Sequence, residues 1–165
     1  MAKNKMEDVM THYKISLLEA IRKLECRGRI SYYGRNLFTY VRISDEFSYL
    51  ATEILAPLGF TLVPLMDKEF SPKTHISLLN NYEQDFVVQR VNVENTFRTW
   101  RSRDITFKIE ELKFSEQRDK NTGLMKNVCM LTVSSTNIET IREDLGVEAK
   151  SDYYSCHIKL CENFL

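Results

Sequence analysis

Thr74-His75-Ile76-Ser77-Leu78-Leu79 and Cys156-His157-Ile158-Lys159-Leu160 are the two stretches on which the reading of this chain turns. In a β-strand, successive side chains point to opposite faces. His75 and Ser77 therefore share one face, opposite Ile76 and Leu78. His157 and Lys159 share one face, opposite Ile158 and Leu160. Each segment buries an apolar side and presents an imidazole with a second polar group on the other. Two imidazoles brought to one site supply a general base and a general acid without a metal. The chain has three histidines, and the third, His12, lies off the apolar stripe of its predicted helix and reads as solvent-facing. His-x-Ser and His-x-Lys are weak patterns alone, since two half-buried histidines satisfying backbone groups have the same spacing. The surrounding elements must separate these readings.

Upstream, Leu37–Ile43 reads as a strand with Leu37, Thr39, Val41 and Ile43 on one face and Phe38, Tyr40 and Arg42 on the other. Ser44-Asp45-Glu46 opens a helix, with Ser44 as N-cap and carboxylates in the first turn. It carries Phe47, Leu50, Ala51, Ile54 and Leu55 and stops before Pro57-Leu58-Gly59. Thr61–Leu65 reads as a short edge strand, and 67–73 as a loop leading to the first histidine. Downstream come a helix over 82–99, then strands at Asp104–Phe114 and Asn127–Ser134. Asp119-Lys120-Asn121-Thr122-Gly123 joins these as a hairpin. A capped helix runs from Thr136 to Leu145 and ends at Gly146. The last strand spans Tyr153–Leu160. At the other end, Glu7–Glu25 is predicted as an amphipathic helix with Met6, Met10, Tyr13, Leu17, Ile21 and Leu24 on one face. This order predicts an α+β fold rich in hairpins.

Cys26–Asn36 is predicted as a loop carrying Arg27, Arg29, Tyr32, Tyr33 and Arg35. Arginines interleaved with tyrosines suit phosphate contact and base stacking. They equally suit a solvated loop that packs its tyrosines on the body. Trp100-Arg101-Ser102-Arg103 sets the single tryptophan beside a basic pair.

The chain has 165 residues, which predicts one domain, simple or bilobed. Lys+Arg and Asp+Glu both number 23, which excludes a strongly basic coat and leaves room for a local basic cleft. No signal peptide or membrane-length apolar run is visible. Cys26, Cys129, Cys156 and Cys161 form no Cys-x-x-Cys pair and are predicted to be reduced thiols of a cytoplasmic protein. Cys156, His157 and Cys161 make a poor zinc set, because adjacent strand residues face opposite ways. No metal and no cofactor are expected. No GxGxxG or phosphate-loop pattern supports a dinucleotide or nucleotide-triphosphate fold.

With these elements in order, the chain resembles the 2H phosphoesterase superfamily, including its LigT-like RNA ligase and cyclic phosphodiesterase group. The mark of that family is a pair of well-separated His-x-Thr/Ser-x strands; here the two histidines lie 82 residues apart. The strand at Leu37–Ile43, the acid-started helix after it, and the hairpin and helix between the motifs match the family's order from about Asn36 to Leu165. The resemblance implies a bilobed fold, with two antiparallel-type sheets flanking a central cleft and helices outside. Residues 36–165 would form this domain and residues 1–35 an N-terminal helix and loop extension. It also implies metal-independent action on a phosphodiester of a nucleotide or short oligonucleotide: a cyclic oligonucleotide, a 2′,5′-oligoadenylate or a 2′,3′-cyclic phosphate. His75 and His157 would be acid and base, in an order the sequence leaves open, with Ser77 and Lys159 holding phosphate oxygens. Tyr40, Arg42, Trp100, Tyr33 and Arg35 are candidate substrate contacts; for Tyr40 and Arg42 a packed tyrosine and a surface arginine read the same. Lys159 departs from the family's Thr or Ser. It is either an electrostatic clamp or a lesion. Two other readings stand beside catalysis: a nucleotide-binding module with weak or no turnover, and an interaction protein that docks through its first helix. No membrane partner is implied.

Overall fold

The apolar–polar alternation around both histidines is realised as two central strands of one sheet. The computed structural model describes residues 2–33, 38–63, 74–90, 93–119 and 122–164, with side chains for 10–32, 39–63, 74–87, 93–119 and 122–164. In chain order the elements are α1 (Ala2–Ile21), β1 (Arg27–Tyr33), β2 (Phe38–Ile43), α2 (Glu46–Leu55) with a 3₁₀ turn (Ala56–Leu58), and β3 (Thr61–Leu62). There follow β4 (His75–Ser77), α3 (Asn81–Arg90), α4 (Val93–Trp100), β5 (Ile105–Thr106), β6 (Lys108–Arg118), β7 (Met125–Ser134), α5 (Thr136–Asp144) and β8 (His157–Phe164). The fold is α+β.

The strands run in the order β5-β1-β2-β4-β8-β7-β6, with β3 joined to β8, in a curled, half-barrel sheet. Every pairing is antiparallel. Instead of two sheets flanking a cleft, there is one. The pairing of Ile76 with Ile158 joins β5-β1-β2-β4 to β8-β7-β6 across its middle.

One apolar cluster lies under this sheet. Leu17 and Ile21 of α1, Phe47, Ala51 and Leu55 of α2, and Ile138 and Ile141 of α5 with its C-cap Leu145 meet Val41, Ile76, Leu131, Ile158 and Leu160 of the strands. Each fully buried Leu or Ile side chain contributes roughly 1.5–3 kcal/mol. The stripe predicted on the first helix is thus realised at Leu17 and Ile21, with Tyr13 and Leu24 packed at its margin. Among the described residues, no helix is long and apolar enough to cross a membrane.

The loop expected over Cys26–Asn36 is instead a strand from Arg27 to Tyr33, paired along its length with β2; residues 34–36 lie outside the described residues. Gly28 shows why a glycine fits there. It pairs with Ile43, and a Cβ at Gly28 would overlap the Arg42 carbonyl oxygen and come within 2.8 Å of Ile43 Cγ2. The helix expected over 82–99 is two helices, and residues 91–92 between them lie outside the described residues. The edge strand expected at Thr61–Leu65 is limited to Thr61–Leu62; residues 64–73, which include the expected loop, also lie outside the described residues. The last strand begins at His157 rather than Tyr153 and runs on to Phe164.

Ile76 and Ile158 are both fully buried at the seam. Replacing either by Ala is expected to lower the unfolding free energy by about 2–5 kcal/mol. The reading is a reduced urea midpoint at an unchanged slope. A loss below about 1 kcal/mol at both positions would contradict close packing there.

Candidate functional site

Strand register converts the alternation into a map of the polar face. Tyr40 pairs with Ser77, Val41 with Ile76 and Arg42 with His75. Leu131 pairs with Ile158, Thr132 with His157 and Met130 with Lys159. Residues directly opposite one another lie on the same face. Val41, Ile76, Leu131 and Ile158 fill the core face, so the other set shares the opposite face. The pairing of Ile76 with Ile158 sets His75 beside Lys159 and Ser77 beside His157. The two imidazoles are diagonal neighbours, about 7–8 Å apart at the backbone in ordinary antiparallel geometry. They stand on adjacent strands of one sheet, not on opposing walls of two.

Two transverse rows result. One runs Arg29, Arg42, His75, Lys159 across β1, β2, β4 and β8. The other runs Ser31, Tyr40, Ser77, His157, Thr132 from β1 through β7. The first concentrates positive charge; the second supplies hydroxyls and an imidazole.

The His157 Nδ1 lies 2.8 Å from the Ser155 carbonyl oxygen. A carbonyl only accepts, so Nδ1 carries the proton and the neutral ring holds its lone pair on Nε2. Burial depresses the imidazole pKa below its ordinary 6.5. The Ser155 bond acts in the opposite direction, and Lys159 repulsion adds to the depression. His157 is thereby favoured as a neutral base with a defined tautomer. The His75 ring meets the Tyr40 ring edge to face, with centroids 5.5 Å apart.

Three groups pin β4. At its start, Asp45 Oδ1 accepts the Thr74 backbone N–H at 2.9 Å, and the Thr74 and Ser48 hydroxyls lie 2.6 Å apart. At its end, the Tyr154 hydroxyl donates to the Ser77 carbonyl at 2.7 Å. Burial raises the Tyr154 pKa well above the usual phenol value, so it remains a donor. Beyond it, Arg142 donates to the Leu78 carbonyl at 2.7 Å and grips both carboxylate oxygens of Glu83 at 2.8 and 2.7 Å. Its Nε bonds the carbonyls of Glu148 and Ala149, and its guanidinium stacks 3.7 Å from the Tyr154 ring centre. Arg142 is fully buried.

The remaining candidates divide. Tyr40 and Arg42 lie on the polar face beside Ser77 and His75, Arg42 exposed and Tyr40 packed to 8 % exposure. The Tyr33 side chain and all of Arg35 lie outside the described residues. Trp100, a candidate substrate contact in the sequence, packs with the core. It is 6 % exposed, donates from Nε1 to Asp144 at 3.2 Å, and carries Arg103 over its ring. Asp45, Arg142, Glu83 and Tyr154 were not anticipated as site residues. Only Arg142 left a signal: in α5 it falls on the apolar stripe with Ile138, Ile141 and Leu145, where a surface charge has no place.

Two measurements test this framework. By NMR titration, His157 is expected to titrate below 6.5, and Lys159→Gln, which removes a repulsion, to move it upward. Titration at or above the ordinary value would contradict the buried geometry. Arg142→Ala leaves Glu83 without its partner and is expected to cost about 3–5 kcal/mol. Glu83 also has an acid signature. Burial acts to raise its pKa, but Arg142 and the Asn80 backbone N–H outweigh it and hold the carboxyl below 4.5. Its stabilisation is therefore present above 4.5 and is lost as pH falls through the lowered folded value. In Arg142→Ala the Arg142 part of that acid-side loss should vanish from the denaturation curves.

No family model matches the chain, and no curated protein or solved structure matches it significantly.

Proposed function

We propose that this chain is a phosphodiesterase of the 2H type, cleaving a nucleotide or short oligonucleotide by two-histidine acid–base catalysis. The observation that carries the reading is the placement of His75, Ser77, His157 and Lys159 on one face of adjacent strands. The neutral base points to direction. His157 Nε2 takes the proton of the attacking water or ribose 2′-hydroxyl. Its oxygen forms a bond to phosphorus in line with the leaving oxygen. The P–O bond to the leaving group breaks, and His75 supplies that oxygen with a proton. The Ser77 hydroxyl and the Lys159 ammonium hold the non-bridging oxygens, the latter as a charge-assisted contact. Tyr40 fixes the His75 ring and Arg42 adds positive charge beside it. Imidazole pairs perform both proton transfers without a Lewis acid.

The test is a panel of 2′,3′-cyclic phosphates, 2′,5′-oligoadenylates and cyclic oligonucleotides assayed in EDTA. Turnover is expected, rising with pH through a group that titrates below 6.5. His75→Ala and His157→Ala are each expected to lose about 10²–10⁴-fold in kcat while keeping the wild-type melting temperature. A probe that binds and returns intact would overturn catalysis and leave a nucleotide-binding module. Activity that EDTA abolishes and a divalent metal restores would overturn the mechanism.

A further inference from the structure

The positive row extends beyond the histidines and ends in a hollow. Arg27, Arg29, Arg42, Ser44, Asp45 and Asp104, with Gly28 and Ile43, line an open cavity of about 470 Å³ at the end of β1 and β2. Arg29 and Arg42 are direct cross-strand partners. Like charges set opposite each other across a ladder are destabilising, and here the next positions along the row are His75 and Lys159. Each of the three arginines also has a carboxylate partner, held at unequal distances. Asp104 accepts from Arg29 Nε at 3.0 Å and stands 3.6 Å from Arg27 Nη1, while Arg27 Nη2 pairs with Glu25 at 2.7 Å. Asp45 makes its short bond to the Thr74 backbone N–H at 2.9 Å and stands 3.5 Å from Arg42 Nη2. The hollow thus gathers three guanidiniums, each with one carboxylate (Glu25, Asp104 or Asp45), and further positive charge along the row comes from Lys159, with the positive end of the α2 dipole at the rim. The ion pairs hold the guanidiniums in place while leaving further N–H groups able to donate.

We propose that this hollow is a second phosphate subsite, and that the substrate is an oligonucleotide bearing a phosphate one nucleoside away from the scissile one, in preference to a mononucleoside cyclic phosphate. The inference rests on the phosphodiesterase reading for the first site. The spacing follows from the sheet. The β1/β2 midline lies two strand spacings from the β4/β8 midline, or roughly 9–10 Å, about the breadth of a nucleoside. A phosphate there relieves the Arg29–Arg42 repulsion and accepts from both forks.

The probes are 5′-phosphorylated and unphosphorylated diadenylates, each in 2′,5′ and 3′,5′ linkage, with affinity measured by calorimetry and cleavage measured separately. In the wild type the terminal phosphate is expected to tighten binding about tenfold. The Arg27→Ala/Arg29→Ala double variant should erase that gain and flatten the salt dependence. Asp104→Asn, which removes a competing carboxylate, should enlarge the gain. A purely structural Arg–Asp pair would weaken binding in all these variants, so the opposite signs carry the test even if the double variant loses stability. Equal affinity for the two probes in the wild type, or a gain that survives in the double variant, overturns the subsite. Cleavage without the gain sinks the subsite alone. The gain without cleavage keeps the subsite and sinks the phosphodiesterase reading, and no binding of any probe sinks both.

Discussion

A single buried guanidinium holds the candidate site together. Desolvating an ion costs several kcal/mol in a protein interior and is offset only by close, complete partnering. Arg142 has that partnering: both oxygens of Glu83, the carbonyls of Leu78, Glu148 and Ala149, and the face of Tyr154. Those groups belong to the segment leaving the first histidine strand, to α3, and to the loop entering the second histidine strand. Tyr154 completes the circuit by donating to Ser77. Removing the charge would leave a carboxylate and several carbonyls orphaned together, so the segments around both histidines depend on one side chain.

Much of this was legible in the sequence, for a physical reason. Strands with one buried face must alternate, so the facing of His75, Ser77, His157 and Lys159 followed from Ile76, Leu78, Ile158 and Leu160 alone. The stripe of the first helix and the acid start of α2 were legible for the same kind of reason. What escaped depended on partners distant in sequence. Arg27–Tyr33 looked like a loop because Gly28 and alternating arginines weaken a strand signal. Its glycine is accommodated by the close approach of β2, and its arginines by the carboxylates of Glu25 and Asp104. The two sheets expected from the resemblance became one because a single isoleucine pair closes the middle. Trp100 beside two arginines read as a recognition surface, but the ring is worth more buried, with one arginine laid over it and Asp144 receiving its N–H.

Net charge concealed the electrostatics as well. The chain balances its acids and bases at 23 each, yet β-sheet register lines up Arg29, Arg42, His75 and Lys159 in one row. Balance over the whole molecule says nothing about a field focused on one face. The depressed His157 pKa follows first from burial, to which repulsion from Lys159 in the row adds.

The seam between β4 and β8 has a consequence for how the protein fails. The histidines are carried by paired strands at the centre of the sheet, not by mobile loops. Their separation is set by a backbone ladder before any ligand arrives, so little ordering entropy is left for binding to supply. The same ladder is among the last structure to open in local fluctuations. Loss of the site and loss of the fold should then be one cooperative event, leaving no folded state in which the histidines have come apart.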